Sequence, residues 1–245
     1  VPLDQAPDTL YRTLVSPTGN YVSVFADLAR TAGIKVKGKY KVGIAPADSK
    51  LVLKSESERL TEILTDMNKQ SNNFMAEQVL RAVGAEKLGL PGTTEKGAQV
   101  LRDYMVELGV PTDRYKIVNG SGLSRESVMS PSALDAVLVD MYKNVDLGPE
   151  FLTTLAVGGR DGTLYYRFRS DGMEGRVRAK TGSLAGVYCL AGYVLAADNH
   201  AYAFSFFVNE IDGATTRARY AHDQLVLALA GVTGTLAEAE DGDGG

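Results

Sequence analysis

The chain has 245 residues and 26 Lys plus Arg against 30 Asp plus Glu, a formal net charge of −4. With 44% hydrophobic and 23% charged residues it has an ordinary globular balance, which excludes a disordered or collagen-like chain. The acidic balance argues against a nucleic-acid partner bound by phosphate neutralisation, and one cysteine, Cys189, excludes an internal disulfide.

Residues 1–20 carry Pro2, Pro7 and Pro17 without a clear period and read as a connector. From Tyr21 the pattern is helical: Val24, Phe25, Leu28, Ala29 and Ala32 share a face, and Gly33 stops it. Strict alternation follows over 34–44, with Ile34, Val36, Tyr40, Val42 and Ile44 opposed to Lys35, Lys37, Lys39 and Lys41. That predicts a half-buried strand with a solvated cationic face. A second short strand is expected over 51–53. Ser55 and Glu58 have capping-box spacing and should open a helix with Leu60, Ile63, Leu64 and Met67 on its apolar stripe.

That helix runs to Ser71-Asn72-Asn73, and the next carries Phe74, Val79, Leu80 and Val83. Glu77 reads as support for its own helix. A further helix is expected from about Thr94 to Leu108, stopped by Gly109. Asn119-Gly120-Ser121-Gly122 is turn chemistry. Ser130 and Pro131 suit an N-cap and first helical position, opening a helix to about Lys143. Arg160-Asp161-Gly162-Thr163 reads as a turn followed by a helix start, with shaping of the pocket rim as the alternative. Residues 176–181, 187–197 and 201–209 predict an antiparallel meander turning at 182–186 and 198–200. A closing helix spans 215–230, and 233–245 is an acidic, Gly-rich tail expected to be disordered. The fold class is α+β, an antiparallel sheet with helices.

Cys189, His200 and His222 have no metal-ligand spacing, so no metal site is expected. The two histidines fit no Ser-His-Asp arrangement and read as surface or partly buried. Nucleotide-binding glycine motifs are missing. Two short motifs remain: Ser71-x-Asn73 at a helix–helix junction, and Lys180-Thr181-Gly182 at a strand end. Each tripeptide is weak alone, but both sit where serine-enzyme chemistry needs them. Lys180 and Thr181 offer a cation and a hydroxyl to a carboxylate. Gly182 lets a peptide backbone lie against the strand. The amide of Ser183 would face an acyl carbonyl as half of an oxyanion hole. Ser71 would relay a proton to a leaving amine, and Asn73 would hold a peptide carbonyl.

Four stretches in order, SNNFMAEQVLRAVGAEKLG, NGSGLSRESVMSP, GGRDGTLYYRF and RAKTGSLAGVYCLAGYV, resemble peptidase family S13. These are D-alanyl-D-alanine carboxypeptidases, the low-molecular-mass class C penicillin-binding proteins. The resemblance implies a β-lactamase/transpeptidase-like domain, an antiparallel sheet flanked by helices, incomplete here at its N-terminus. It implies a serine-type carboxypeptidase and DD-endopeptidase of the periplasm or cell envelope, without cofactor. Its partners would be peptidoglycan stem peptides ending in D-Ala-D-Ala, with β-lactams as inhibitors.

The family's nucleophile lies in a Ser-x-x-Lys motif upstream of Ser-x-Asn. None of the 14 serines here has Lys three residues on. The expected layout is therefore 1–20 as a connector or the end of an inserted accessory domain, 21–232 as the C-terminal portion of the transpeptidase-like domain, and 233–245 as the tail. A missing N-terminal segment would carry Ser-x-x-Lys, and the fragment alone would be inactive. Asn119 stands where the family has Asp, and Leu155-Ala156-Val157-Gly158-Gly159 departs from the family's Leu-Pro-x-Ala-Gly. Other readings are a non-catalytic cell-wall peptide or penicillin binding module, and a serine β-lactamase relative.

Overall fold

The computed structural model describes residues 14–39, 43–44, 46–169, 172–211, 213 and 215–231. The chain forms two compact units, Val1–Glu56 and Ser57–Gly245. The first contains α1 (Pro17–Thr31). Its start precedes Tyr21 because the Ser16 hydroxyl accepts the Gly19 amide at 3.1 Å and Pro17 fixes the first helical residue. Gly33, at φ +81°, ends it. The alternation over 34–44 makes no strand among the described residues, and neither does 51–53. Gly38, at φ +94°, breaks the extended run, and alternation yields a strand only where a neighbour pairs with it. Residues 40–42 of that expectation, and the acidic tail over 233–245, lie outside the described residues.

In the second unit α2 (Leu60–Lys69) starts later than Ser55 suggests. Arg59 is its cap, and the Glu62 carboxylate accepts the Arg59 amide at 3.2 Å. α3 (Asn73–Leu88) and α4 (Thr94–Glu107) follow as expected. They cross backbone to backbone: a Cβ on Gly97 would lie 2.1 Å from the Leu80 carbonyl oxygen, and one on Gly84 2.6 Å from the Gly97 nitrogen. β1 (Tyr115–Lys116) and β2 (Val128–Met129) form a short antiparallel pair that closes the 117–127 loop. α5 (Pro131–Lys143) opens as predicted, the Ser130 hydroxyl accepting the Ala133 amide at 3.2 Å. α6 (Gly148–Thr154) and β3 (Ala156–Val157) were not legible in the sequence, being too short to show a period.

The main sheet is antiparallel in the order β3, β4 (Val177–Leu184), β5 (Val187–Leu195) and β6 (Ala201–Asn209). The first hairpin turns at Ala185-Gly186, not over 182–186. Gly182 and Ser183 are strand residues paired with Cys189 and Tyr188. Side chains alternate across the pleat. One face carries Val177, Ala179, Leu190, Val194 and Phe204, buried with Val226 and Leu227 of α7 (Thr215–Leu229) and with Leu164 and Phe168. The other packs Ala191 and Tyr193 against Leu138 of α5 and Leu155, with Phe151 and Leu152 of α6 alongside. Helices thus cover both faces of an α+β sheet, as the family resemblance implied.

A methyl group at position 97 has no room without parting α3 from α4. Gly97→Ala should cost about 1–3 kcal/mol of the unit's stability, the range for overpacking, measured by urea unfolding of the whole chain. A change under about 0.5 kcal/mol, the scatter of ordinary surface substitutions, would contradict this crossing.

Candidate active site

α2 and α3 meet at Gln70-Ser71-Asn72. The Asn72 amide donates to the Met67 carbonyl at 2.9 Å, which closes a Schellman turn and requires the residue before Asn72 to be left-handed. Two other helices end the same way: Ile34 donates to Ala29 at 2.8 Å past Gly33, and Val110 to Met105 at 3.0 Å past Gly109. Those two turns use glycine. The turn after α2 uses Ser71, at φ +54°, which costs on the order of 1 kcal/mol for a residue with a side chain. Asn72 then caps α3, its Oδ1 accepting the Met75 amide at 3.1 Å. Asn73 opens α3 with its side chain exposed.

The strained turn aims Ser71 at the sheet. Lys180 Nζ donates to Ser71 Oγ at 2.7 Å, joining motifs 109 residues apart. It also donates to the Thr181 carbonyl at 2.6 Å. Among the described residues no carboxylate pairs with Lys180. Burial pushes its pKa below the ordinary lysine value.

β3 pairs with β4 only at Arg178 and Ala179. Beyond it, no described strand covers the outer edge of 180–184. Backbone alternation decides which groups face that edge. The Val177 carbonyl accepts the Gly158 amide at 2.9 Å on the β3 side, while the Arg176 carbonyl accepts the Leu195 amide at 2.9 Å on the β5 side. Counting on by twos, Thr181 and Ser183 present their backbone groups to the open edge. The two motifs thus meet through Lys180 and Ser71, with Asn73 two residues further on, in the first turn of α3.

The sequence offered 160–163 as a turn or a pocket rim, without the contacts that fix this arrangement. The 158–164 loop touches both motifs. Asp161 accepts Lys69 Nζ at 2.6 Å, two positions before Ser71, and the Val157 amide at 2.8 Å. Gly162, at φ +54°, leaves no room for a Cβ, which would lie 2.8 Å from the Lys69 carbonyl oxygen. Thr163 Oγ1 accepts the Thr181 hydroxyl at 2.9 Å. The turn expected at 160–163 is therefore a clamp, and residues Gly162–Leu164 make the short 3₁₀ turn behind it.

Glu77 does more than support its helix. It accepts the Ser121 amide at 2.9 Å, the Ser121 hydroxyl at 2.6 Å and the Gly120 amide at 3.2 Å. Burial alone would raise its pKa, but these donors, with Arg81 nearby, hold it below the ordinary glutamate value. Ser121 is committed to that loop, as the turn reading expected. Arg125 of the same loop donates to the Ala185 carbonyl at 2.6 Å, at the β4–β5 turn.

His200 sits in the β5–β6 turn and Cys189 on β5, while His222 of α7 is only 1% exposed. His222 is stacked on Tyr188, with ring centroids 5.5 Å apart. It is a core residue, more buried than its sequence position suggested. Among the described residues no group of three or more His, Cys, Asp or Glu side chains could hold a metal ion. No described helix is long and apolar enough to cross a membrane.

The site is thus a Ser-x-Asn hydroxyl on the ammonium of a strand-borne Lys-Thr-Gly, at the edge of an antiparallel sheet covered by helices. Residues 1–232 match the D-Ala-D-Ala carboxypeptidase 3 (S13) family, and the chain belongs to that family. It is 32% identical over 245 residues to a D-alanyl-D-alanine carboxypeptidase of an Actinomadura species, covering 96% of this chain and 44% of that one. The crystal structure of penicillin-binding protein 4 from Haemophilus influenzae is similar at TM-score 0.77 and 30% identity, covering 88% of this chain and 50% of that one. The same relative complexed with a β-lactam is similar at TM-score 0.72 and 28% identity, covering 84% and 50%. The chain spans less than half the length of the curated relatives it matches.

The folded pKa of Lys180 lies below its unfolded value, so stability should rise as pH climbs through the interval between the two. NMR of isotopically labelled lysine side chains should find Lys180 losing its proton below the ordinary lysine pKa. A value at or above the ordinary one would contradict the burial of this group.

Proposed function

We propose that this chain supplies the Ser-x-Asn and Lys-Thr-Gly half of a serine D-Ala-D-Ala carboxypeptidase and DD-endopeptidase site. The observation that carries the reading is the 2.7 Å contact between Lys180 and Ser71 at an open strand edge. A peptide laid along that edge adds a strand to the sheet. Lys180, a desolvated cation with no described carboxylate beside it, attracts the peptide's terminal carboxylate. Thr181 and its neighbouring hydroxyls complete the cradle. Gly182 fits this reading as well. A Cβ there would make only an ordinary 3.4 Å contact with Cys189, so the chain's own packing does not demand glycine. A substrate backbone against the strand does.

The Ser183 amide faces the edge where the oxygen of a tetrahedral intermediate gathers charge. Ser71, held by Lys180, is the proton carrier to the leaving amine, and the lowered pKa of Lys180 eases that transfer. The exposed Asn73 amide orients the peptide. The substrates would be peptidoglycan stem peptides ending in D-Ala-D-Ala, the inhibitors β-lactams, and the place of action the cell envelope or periplasm. A Ser-x-x-Lys serine, absent from these 245 residues, would be the acylated group and would come from sequence upstream of Val1. In that layout 1–20 is a connector and 21–232 the C-terminal portion of the catalytic domain.

Intact mass after incubation with a β-lactam tests this on two proteins, this chain and a version extended upstream. The extended protein should gain one acyl adduct and this chain none. An adduct on Ser71 of this chain would overturn the assignment of roles. If neither protein reacts, a non-catalytic wall-peptide binding module replaces the enzyme reading.

A further inference from the structure

We infer that Tyr165, Tyr166 and Arg169 form a carboxylate-binding subsite on the leaving side of the strand edge, one that holds the second stem peptide of a cross-linked substrate. The inference rests on the carboxylate-cradle reading above and deepens it. In that reading the scissile carbonyl lies toward Ser183 and the terminal carboxylate toward Lys180 and Thr181. The residue that departs is therefore at the Thr181 end. A carboxypeptidase releases a lone amino acid there, whereas an endopeptidase releases an amine borne by a second peptide. Only the second has groups to place beyond the cradle. The 158–169 segment lies at that end: the Thr163 and Thr181 hydroxyls are 2.9 Å apart. Tyr165 follows two residues on, at most about 7 Å from Thr163 between Cα atoms.

The three side chains make one surface. The Tyr165 and Tyr166 rings meet edge to face, with centroids 4.8 Å apart. The Arg169 guanidinium carbon lies 4.3 Å from the Tyr165 centroid and 4.9 Å from that of Tyr166. Arg169 Nε donates to the Tyr165 carbonyl at 2.8 Å. That bond and the two rings fix the guanidinium while its terminal nitrogens keep their donors in a planar fork. The neighbouring Arg160 pairs with Glu174, and Arg167 with Asp223. Among the described residues no carboxylate pairs with Arg169. Leu164 and Phe168, on either side of the tyrosines, are buried in the main core, yet Tyr166 stands 83% exposed. The segment is anchored and the cluster faces solvent. Such a fork matches a carboxylate bidentately, and its orientation in advance lowers the cost of binding. The chain and these contacts keep the guanidinium within about 18 Å of the Thr163 hydroxyl, the reach of roughly five or six extended residues. A second stem peptide covers that gap. A lone departing alanine, its carboxylate already on Lys180, has no group left for the fork.

The test titrates two peptides into the whole chain, followed by NMR. One is a stem peptide ending in D-Ala-D-Ala. The other is the same stem joined through its D-alanyl carbonyl to the amine of a second stem. The acyl side is identical, so a difference in affinity comes from the leaving side. The cross-linked peptide should bind about fivefold more tightly, the size of a well-aligned exposed ion pair. Arg169→Gln should remove that advantage and leave the single stem unchanged. Arg169→Lys, charged but without the fork, should recover only part of it. Amidating the second stem's carboxylates, other than the one held by the cradle, should act on wild type as Arg169→Gln does. An advantage that survives Arg169→Gln, or a wild type that binds both peptides alike, overturns the inference and leaves the cradle reading standing. An advantage that survives amidation means that the cluster holds another part of the ligand, and the carboxylate assignment falls. A chain that binds neither peptide sinks the cradle reading and the inference with it. Thermal unfolding identifies a variant that fails to fold, and the amidated ligand on wild type then decides.

Discussion

An ammonium group and a hydroxyl, 2.7 Å apart and 109 residues apart in sequence, set the terms for the rest of the molecule. Neither partner is in its most comfortable state. Ser71 holds a left-handed backbone that glycine adopts more easily, and Lys180 is desolvated without a described carboxylate to balance it. Both costs are of the kind that persists only when surrounding structure overdetermines the geometry. The contact therefore raises a mechanical question: what keeps the end of a helix and the edge of a strand in register?

The 158–164 loop answers it from one side. Asp161 binds the last turn of α2 through Lys69, and Thr163 binds β4 through Thr181. A single short segment thus spans the gap between the two motifs. Its own anchor is apolar: Leu164 and Phe168 are buried with the sheet and α7. The Lys69–Asp161 pair is half-buried, so it is screened less than a surface pair. The other side is held by Glu77, which fastens the 119–122 turn to α3 through three hydrogen bonds, and by Arg125, which reaches the β4–β5 turn. Polar bonds position the site, and burial of the sheet's two faces supplies the rigidity behind it.

A shared strand edge explains why β3 is so short. Its two residues pair with Ala179 and Arg178, and the helix α6 ends just before them. Had the antiparallel strand begun earlier, over 152–154, it would have occupied the backbone groups of Thr181 and Ser183. An uncovered edge is a hazard for a protein, because it templates pairing with other chains. Here the uncovered stretch is confined to a few residues flanked by Lys180, so the edge is short and positively charged.

The sequence by itself determined α3, α4, α5 and α7, the β-meander and the two signature motifs. Their signals are local: apolar spacing of 3.6, apolar runs bounded by turn residues, Ser130-Pro131 at a helix start, glycine at helix ends. It also carried the family resemblance, through four ordered stretches that the family match bears out. It misled where a local pattern lacked a partner, as in the alternation over 34–44, and where a capping signal at Ser55 lost to Arg59 and Glu62. Only the tertiary structure decided that Lys180 meets Ser71, that Asp161 and Thr163 hold them there, and that Thr181 and Ser183 face an open edge. Those facts depend on contacts between residues far apart in the chain, and a one-dimensional pattern records spacing along the chain, not distance across it.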